Sequence, residues 1–190
     1  MPAAILLLFF LQAPAPFWET KAPRNWTDAE IELMMKEPPW GAVTVAGNVT
    51  VFLASARPMR EAEEELFLRQ TKNGEIKTDE EDYHSYIQAN PGKHIVLAVR
   101  MDMTQEFSIP KEAKRMEKEC FLRVGKQKVR PIGYFPPTPA DPFFRLLFPR
   151  IPLTGLRSLN FGLYLPGVHK PFQDVELPVK GMTYRGQTEY

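Results

Sequence analysis

Leu159-Asn160-Phe161-Gly162-Leu163-Tyr164-Leu165-Pro166-Gly167 alternates apolar residues at every second position and then stops on a Pro-Gly turn. After a few residues, Val175-Glu176-Leu177-Pro178-Val179 repeats the alternation. A period of two marks a half-buried strand. The connection between the two runs is too short for a helical crossover, so the strands must pair antiparallel. Upstream, Cys120–Val124 and Val129–Tyr134 form a second candidate pair around Gly125-Lys126-Gln127-Lys128, which suits a hairpin turn.

The helical signals lie earlier in the chain. Thr27-Asp28-Ala29-Glu30 is a capping box, with Trp26 and Ile31 at the staple positions, and predicts a helix to Lys36 ahead of Pro38-Pro39. Ile31, Met34 and Met35 form its apolar stripe. Asn48–Ala54 reads as a strand apolar on both faces, followed by a turn at Ser55-Ala56-Arg57-Pro58. The turn leads into a charged helix with Met59, Ala62 and Leu66 on its inner side. Thr78-Asp79-Glu80-Glu81 is a second capping box, opening a helix that points Tyr83, Tyr86 and Ile87 inward and ends at Asn90-Pro91-Gly92. His94–Met103 alternates as a strand, with Arg100 and Asp102 on a face expected to be at least partly wet, and residues 110–118 form a short charged helix. Helices concentrated in the N-terminal half and strands in the C-terminal half predict an α+β fold with a mainly antiparallel sheet.

The N-terminus bears on compartment. Met1 to Trp18 carry no charged side chain, and Ala3 to Leu11 are wholly apolar before Ala13-Pro14-Ala15-Pro16. That layout is expected of a secretory signal peptide over residues 1–15, followed by a linker at 16–25 and one domain over 26–190. The apolar run is about half the ~20 residues a membrane span needs, so no stable transmembrane anchor is expected. The expected location is extracytoplasmic, periplasmic or secreted, in a bacterium. The single cysteine, Cys120, permits no internal disulfide and no cysteine-based metal site. With 24 Lys and Arg against 23 Asp and Glu, net charge gives no reason to expect a nucleic-acid partner.

Motifs for catalysis are missing from the sequence: there is no His-Glu-x-x-His, no Gly-x-Ser-x-Gly and no phosphate-cradling glycine loop. No catalytic residue, metal ligand or cofactor is therefore assigned. Cys120 reads as a buried, inert thiol. Two candidate binding features remain. Arg57 and Arg60 flank a strand-to-helix turn, where a helix N-terminus and guanidinium groups can contact an anion, with salt bridges to neighbouring glutamates as the alternative. Phe143, Phe144 and Phe148 lie in a Pro-rich third that holds ten of the nineteen prolines from Pro131 onward. Exposed, they would form an apolar interaction surface; buried, they would plug one end of the sheet.

Trp26-Thr27 with Glu30-Ile31, Pro39-Trp40, Ser55-Ala56-Arg57-Pro58 with Arg60 and Ala62, Leu165-Pro166-Gly167 and Gly181-Met182-Thr183-Tyr184-Arg185-Gly186 together resemble uncharacterised exported proteins of soil, acidobacteria-like bacteria. The resemblance implies an exported bacterial protein with a single α+β domain, and brings no activity, cofactor or catalytic residue with it. The expected function is a non-enzymatic binding or interaction module of the envelope, with an envelope protein as partner. Two alternatives stand beside it. One is a small exported hydrolase assembled from dispersed residues such as Ser55, His84 or His94. The other is a carrier of an apolar small molecule.

Overall fold

The computed structural model describes residues 15–44, 49–74, 83–101, 105–138 and 141–190. In chain order these carry helix α1 (Phe17–Thr20), a 3-10 turn at Pro23–Asn25, α2 (Asp28–Lys36), strands β1 (Gly41–Val43) and β2 (Thr50–Leu53), then helices α3 (Arg57–Lys72) and α4 (Tyr83–Ala89). Strand β3 (His94–Arg100), a 3-10 turn at Gln105–Ser108 and helix α5 (Pro110–Glu119) follow. The rest is strand: β4 (Phe121–Val124), β5 (Gln127–Val129), β6 (Gly133–Phe135), β7 (Phe143–Pro149), β8 (Ser158–Tyr164), β9 (Phe172–Pro178), β10 (Thr183–Tyr184) and β11 (Gln187–Thr188). Every strand pair is antiparallel, so the chain is α+β.

Two sheets form, of order β1-β2-β3-β7-β6 and β5-β4-β8-β9, together with the small hairpin β10-β11. Residues directly opposite across a pair share a face. In the five-stranded sheet, Ile95, Leu97 and Val99 therefore share a face with Phe148, Leu146 and Phe144, and that face meets the four-stranded sheet where the Phe148 and Phe161 rings lie 5.5 Å apart. The opposite face carries Val96, Ala98, Phe143 and Arg145 and is covered by α2, α3 and α4. Three layers result: helices, a five-stranded sheet, then a four-stranded sheet whose outer face meets α5 at Tyr164 and is exposed at Arg123, Lys128, Asp174 and Glu176. Leu122, Leu159, Phe161, Leu163, Val175 and Leu177 point inward from that last sheet.

The Thr27 capping box is present as read: the Glu30 amide donates to the Thr27 hydroxyl at 3.2 Å and the Thr27 amide donates to the Glu30 carboxylate at 2.8 Å. Ile31, Met34 and Met35 are buried, and Pro58 sits in the first turn of α3. The second capping box and the acidic run 79–82 lie outside the described residues, as do residues 1–14 of the segment read as a signal peptide.

Several readings are corrected. Residues 16–25 are more than a spacer: they hold α1 and a 3-10 turn, and Phe17 packs edge-on against Trp26 at 5.7 Å. Val129–Tyr134 is not one strand. A two-residue turn, Gly125-Lys126, closes the β4-β5 hairpin, and after Val129 the chain crosses to the other sheet as β6. The β3 face expected to be at least partly wet is so at Arg100, which is exposed, while Val96 and Ala98 are fully buried beneath the helices and Asp102 lies outside the described residues.

Candidate functional site

The Phe143–Phe148 stretch is strand β7, an interior strand of the five-stranded sheet. Phe143 is 6% exposed and Phe144 and Phe148 are 0% exposed. They form no surface. Phe144 and Phe148 face the inter-sheet core, and Phe143 meets Phe52 beneath the helices at 5.5 Å. An unbroken apolar run fits a strand covered on both sides.

Arg57 does contact an anion, but one supplied by the chain itself. The Glu189 carboxylate lies at the N-terminus of α3, accepting from the Arg57 amide at 3.3 Å and pairing with its guanidinium at 3.1 Å. Gln187 also accepts from Arg57, whose guanidinium stacks 5.0 Å from the Tyr184 ring. Trp40 packs against Tyr184, and the Tyr184 hydroxyl donates to Glu61 at 2.7 Å. Arg185, in the β10-β11 turn, donates to Glu19 and to the Lys21 carbonyl. Motif residues scattered from Trp40 to Arg185 thus meet at one corner, where the C-terminal hairpin is bolted to α3 and to the N-terminal segment. Their role there is packing.

The dispersed hydrolase residues each take a partner of their own. The Ser55 hydroxyl accepts from the Val96 amide at 3.0 Å, tying the end of β2 to β3. The His94 ring stacks on Tyr86, while His84 stacks on Phe67 at 4.2 Å. Cys120 is buried, its sulfur accepting from the Tyr164 amide, and burial pushes the thiol up to about 11.

A different cluster emerges beneath the helical layer. Arg145, at the middle of β7, points toward α3 and its side chain is 2% exposed. Its guanidinium donates to Glu63 of α3 at 2.6 Å and to Asp141 at 2.6 Å, and stacks 4.1 Å from the Tyr83 ring of α4. A charge this deep is tolerated only when paired. Here one guanidinium serves two carboxylates, and the pairing is incomplete on both sides, since Nε of Arg145 is also buried without a hydrogen-bond partner among the described residues. Oε2 of Glu63 and the Tyr83 hydroxyl are buried without a hydrogen-bond partner among the described residues. Burial outweighs the pull of the shared Arg145, so the Glu63 carboxyl is raised above its ordinary value, and burial beside Glu63 likewise raises the Tyr83 hydroxyl.

Glu63 and Tyr83 also line a cleft of about 200 Å³ between α3 and α4. Arg60, Glu64, His84 and Ile87 complete most of its wall. Arg60, expected beside Arg57 as an anion contact, therefore faces a cleft that carries two glutamates. Of the glutamates in this run, Glu64 is exposed, Glu61 and Glu65 are half-buried, and Glu63 is the buried one. The signal that could have found it was the helical spacing Met59-Ala62-Glu63-Leu66, which puts Glu63 on the apolar side.

Among the described residues no three His, Cys, Asp or Glu side chains converge as metal ligands, and no helix is long and apolar enough to cross a membrane. No protein-family model matches the chain, and no curated protein and no solved structure matches it either.

Proposed function

We propose that the protein is an exported bacterial envelope protein that acts as a binding module, and that the α3–α4 cleft receives the cationic end of its ligand. The export part of the reading rests on the apolar leader in the sequence. The binding part rests on one observation: Glu63 keeps an unpartnered buried oxygen at the wall of a cleft. An unsatisfied buried acceptor costs about 1–3 kcal/mol, more when charged, and a bound donor recovers that cost. Counting the cluster with its rim, Glu63, Glu64 and Asp141 stand against Arg60 and Arg145, an excess of one negative charge that favours a cation.

The cleft is smaller than the roughly 300–1,000 Å³ of a pocket that swallows a whole drug-sized ligand. It suits one primary amine or guanidinium group.

Isothermal titration at neutral pH with agmatine and spermidine, and with matched carboxylates as controls, tests the reading. Saturable binding of an amine or guanidine is expected, weakened at least tenfold in Glu63→Gln and severalfold in Tyr83→Phe, with both variants folded by circular dichroism. Equal affinity in wild type and Glu63→Gln, or no binding by either cation, contradicts it.

A further inference from the structure

The outer face of the four-stranded sheet carries its charges in two separate stripes. Register places Lys128, Arg123, Asn160 and Glu176 in one row across β5, β4, β8 and β9, and Phe121, Gly162 and Asp174 in the next. Cations therefore occupy the β4-β5 side, carboxylates occupy β9, and the strand between them is neutral. Arg123, Lys128, Asp174 and Glu176 are all exposed, and none of them forms an ion pair among the described residues. Arg123 and Glu176 lie two strands apart, about 10 Å at the strand spacing, and do not pair with each other in the structure.

Apolar surface accompanies the stripes. Phe121 lies flat over Gly162, where an added Cβ would come within 2.3 Å of its ring, and Lys128 and Arg123 rest on that ring at 4.1 and 5.4 Å. Phe172, at the start of β9, is 57% exposed. A groove lined by Phe121, Arg123, Asn160, Asp174 and Glu176 runs between the two stripes.

We propose that this face is a self-complementary interface that pairs the protein with a second copy of itself. A two-fold axis running along β8, in the plane between two facing sheets, exchanges the two sides of the face. It lays Arg123 and Lys128 of one copy against Asp174 and Glu176 of the other, and the same pairing occurs twice by symmetry. A uniformly charged partner would match one stripe and oppose the other; a second copy matches both. Exposed ion pairs add little affinity and are screened by salt, so the charges fix orientation and partner choice while Phe121 and Phe172 supply the apolar contact. The dimer is accordingly weak and concentration-dependent.

Sedimentation velocity across a concentration series separates the outcomes. Wild type is expected to shift from monomer to dimer as concentration rises, and high salt is expected to push the transition upward. Asp174→Lys with Glu176→Lys, and separately Arg123→Glu with Lys128→Glu, are each expected to weaken self-association at least tenfold. An equimolar mixture of the two double variants, one with an all-cationic face and the other all-anionic, is expected to recover the dimer. A wild type that stays monomeric to several hundred micromolar overturns the proposal. So do double variants that dimerise as wild type does, or a mixture that stays monomeric.

Discussion

Arg145 and Arg123 both sit on antiparallel strands, on faces turned away from the core between the two sheets. Arg123 is exposed and rests on a phenylalanine ring, with no ion pair among the described residues. Arg145 is sealed beneath α3 and α4 and holds two carboxylates. The strands do not account for this difference; the third layer does. Where helices cover a sheet, an arginine must bring its counter-ions into the interior, and here the arrangement leaves Nε of Arg145 and Oε2 of Glu63 without partners among the described residues. Where no layer covers the sheet, the same side chain remains available for contact with another molecule.

The comparison breaks most visibly if the two arginines are removed in turn. Arg145→Met strands Glu63 beside Asp141 without a cation and is expected to lose about 3–5 kcal/mol in urea unfolding, whereas Arg123→Met changes stability by no more than about 0.5 kcal/mol. Similar losses at the two positions would mean that the cover over Arg145 is not tight. Adding Glu63→Leu and Asp141→Asn to Arg145→Met is expected to restore much of the stability, since an apolar replacement of a buried ionic group is often neutral or better.

The pH dependence sharpens the same contrast. Glu63 is raised in the folded state, so the folded chain holds its proton more tightly than the unfolded chain does. Its contribution to stability is complete below the unfolded value near 4.5 and is lost as pH rises through the raised folded value. The difference in unfolding free energy between wild type and Glu63→Gln should therefore move against wild type as pH climbs above 4.5. A difference that is flat with pH would show that Glu63 titrates normally.

On the open sheet, Gly162→Ala must displace the Phe121 ring from its seat and is expected to cost about 1 kcal/mol, because an exposed ring can swing aside. Thr27→Ala removes the cap of a helix in the covering layer and should cost about 1 kcal/mol or slightly less in the same assay.

Local signals were legible in the chain. The capping box at Thr27, the helix start at Pro58, the alternation of β8 and β9 and the α+β class each follow from short-range patterns and appear in the structure. What escaped is what depends on a neighbouring layer. β7, an interior strand, has no period of two because both of its faces are covered, so Phe143 to Phe148 read equally well as a patch or as core. β1 and β6 are three residues each, too short to show a period. The cleft site was invisible for a related reason. Glu63 and Glu64 are neighbours in a run of glutamates, and only the helix phase and the position of Arg145, 82 residues away, separate the buried one from the exposed one.

The central claim is that Glu63 is a buried, incompletely paired carboxylate awaiting a cation. Carboxyl-carbon NMR of the full chain, with glutamate labelled and Glu63 assigned by its absence from Glu63→Gln, measures that group directly. Its titration midpoint is expected to lie above those of the exposed glutamates and to fall when agmatine or spermidine is added, because a bound cation stabilises the ionised form. A midpoint in the ordinary glutamate range that neither cation moves would contradict the account.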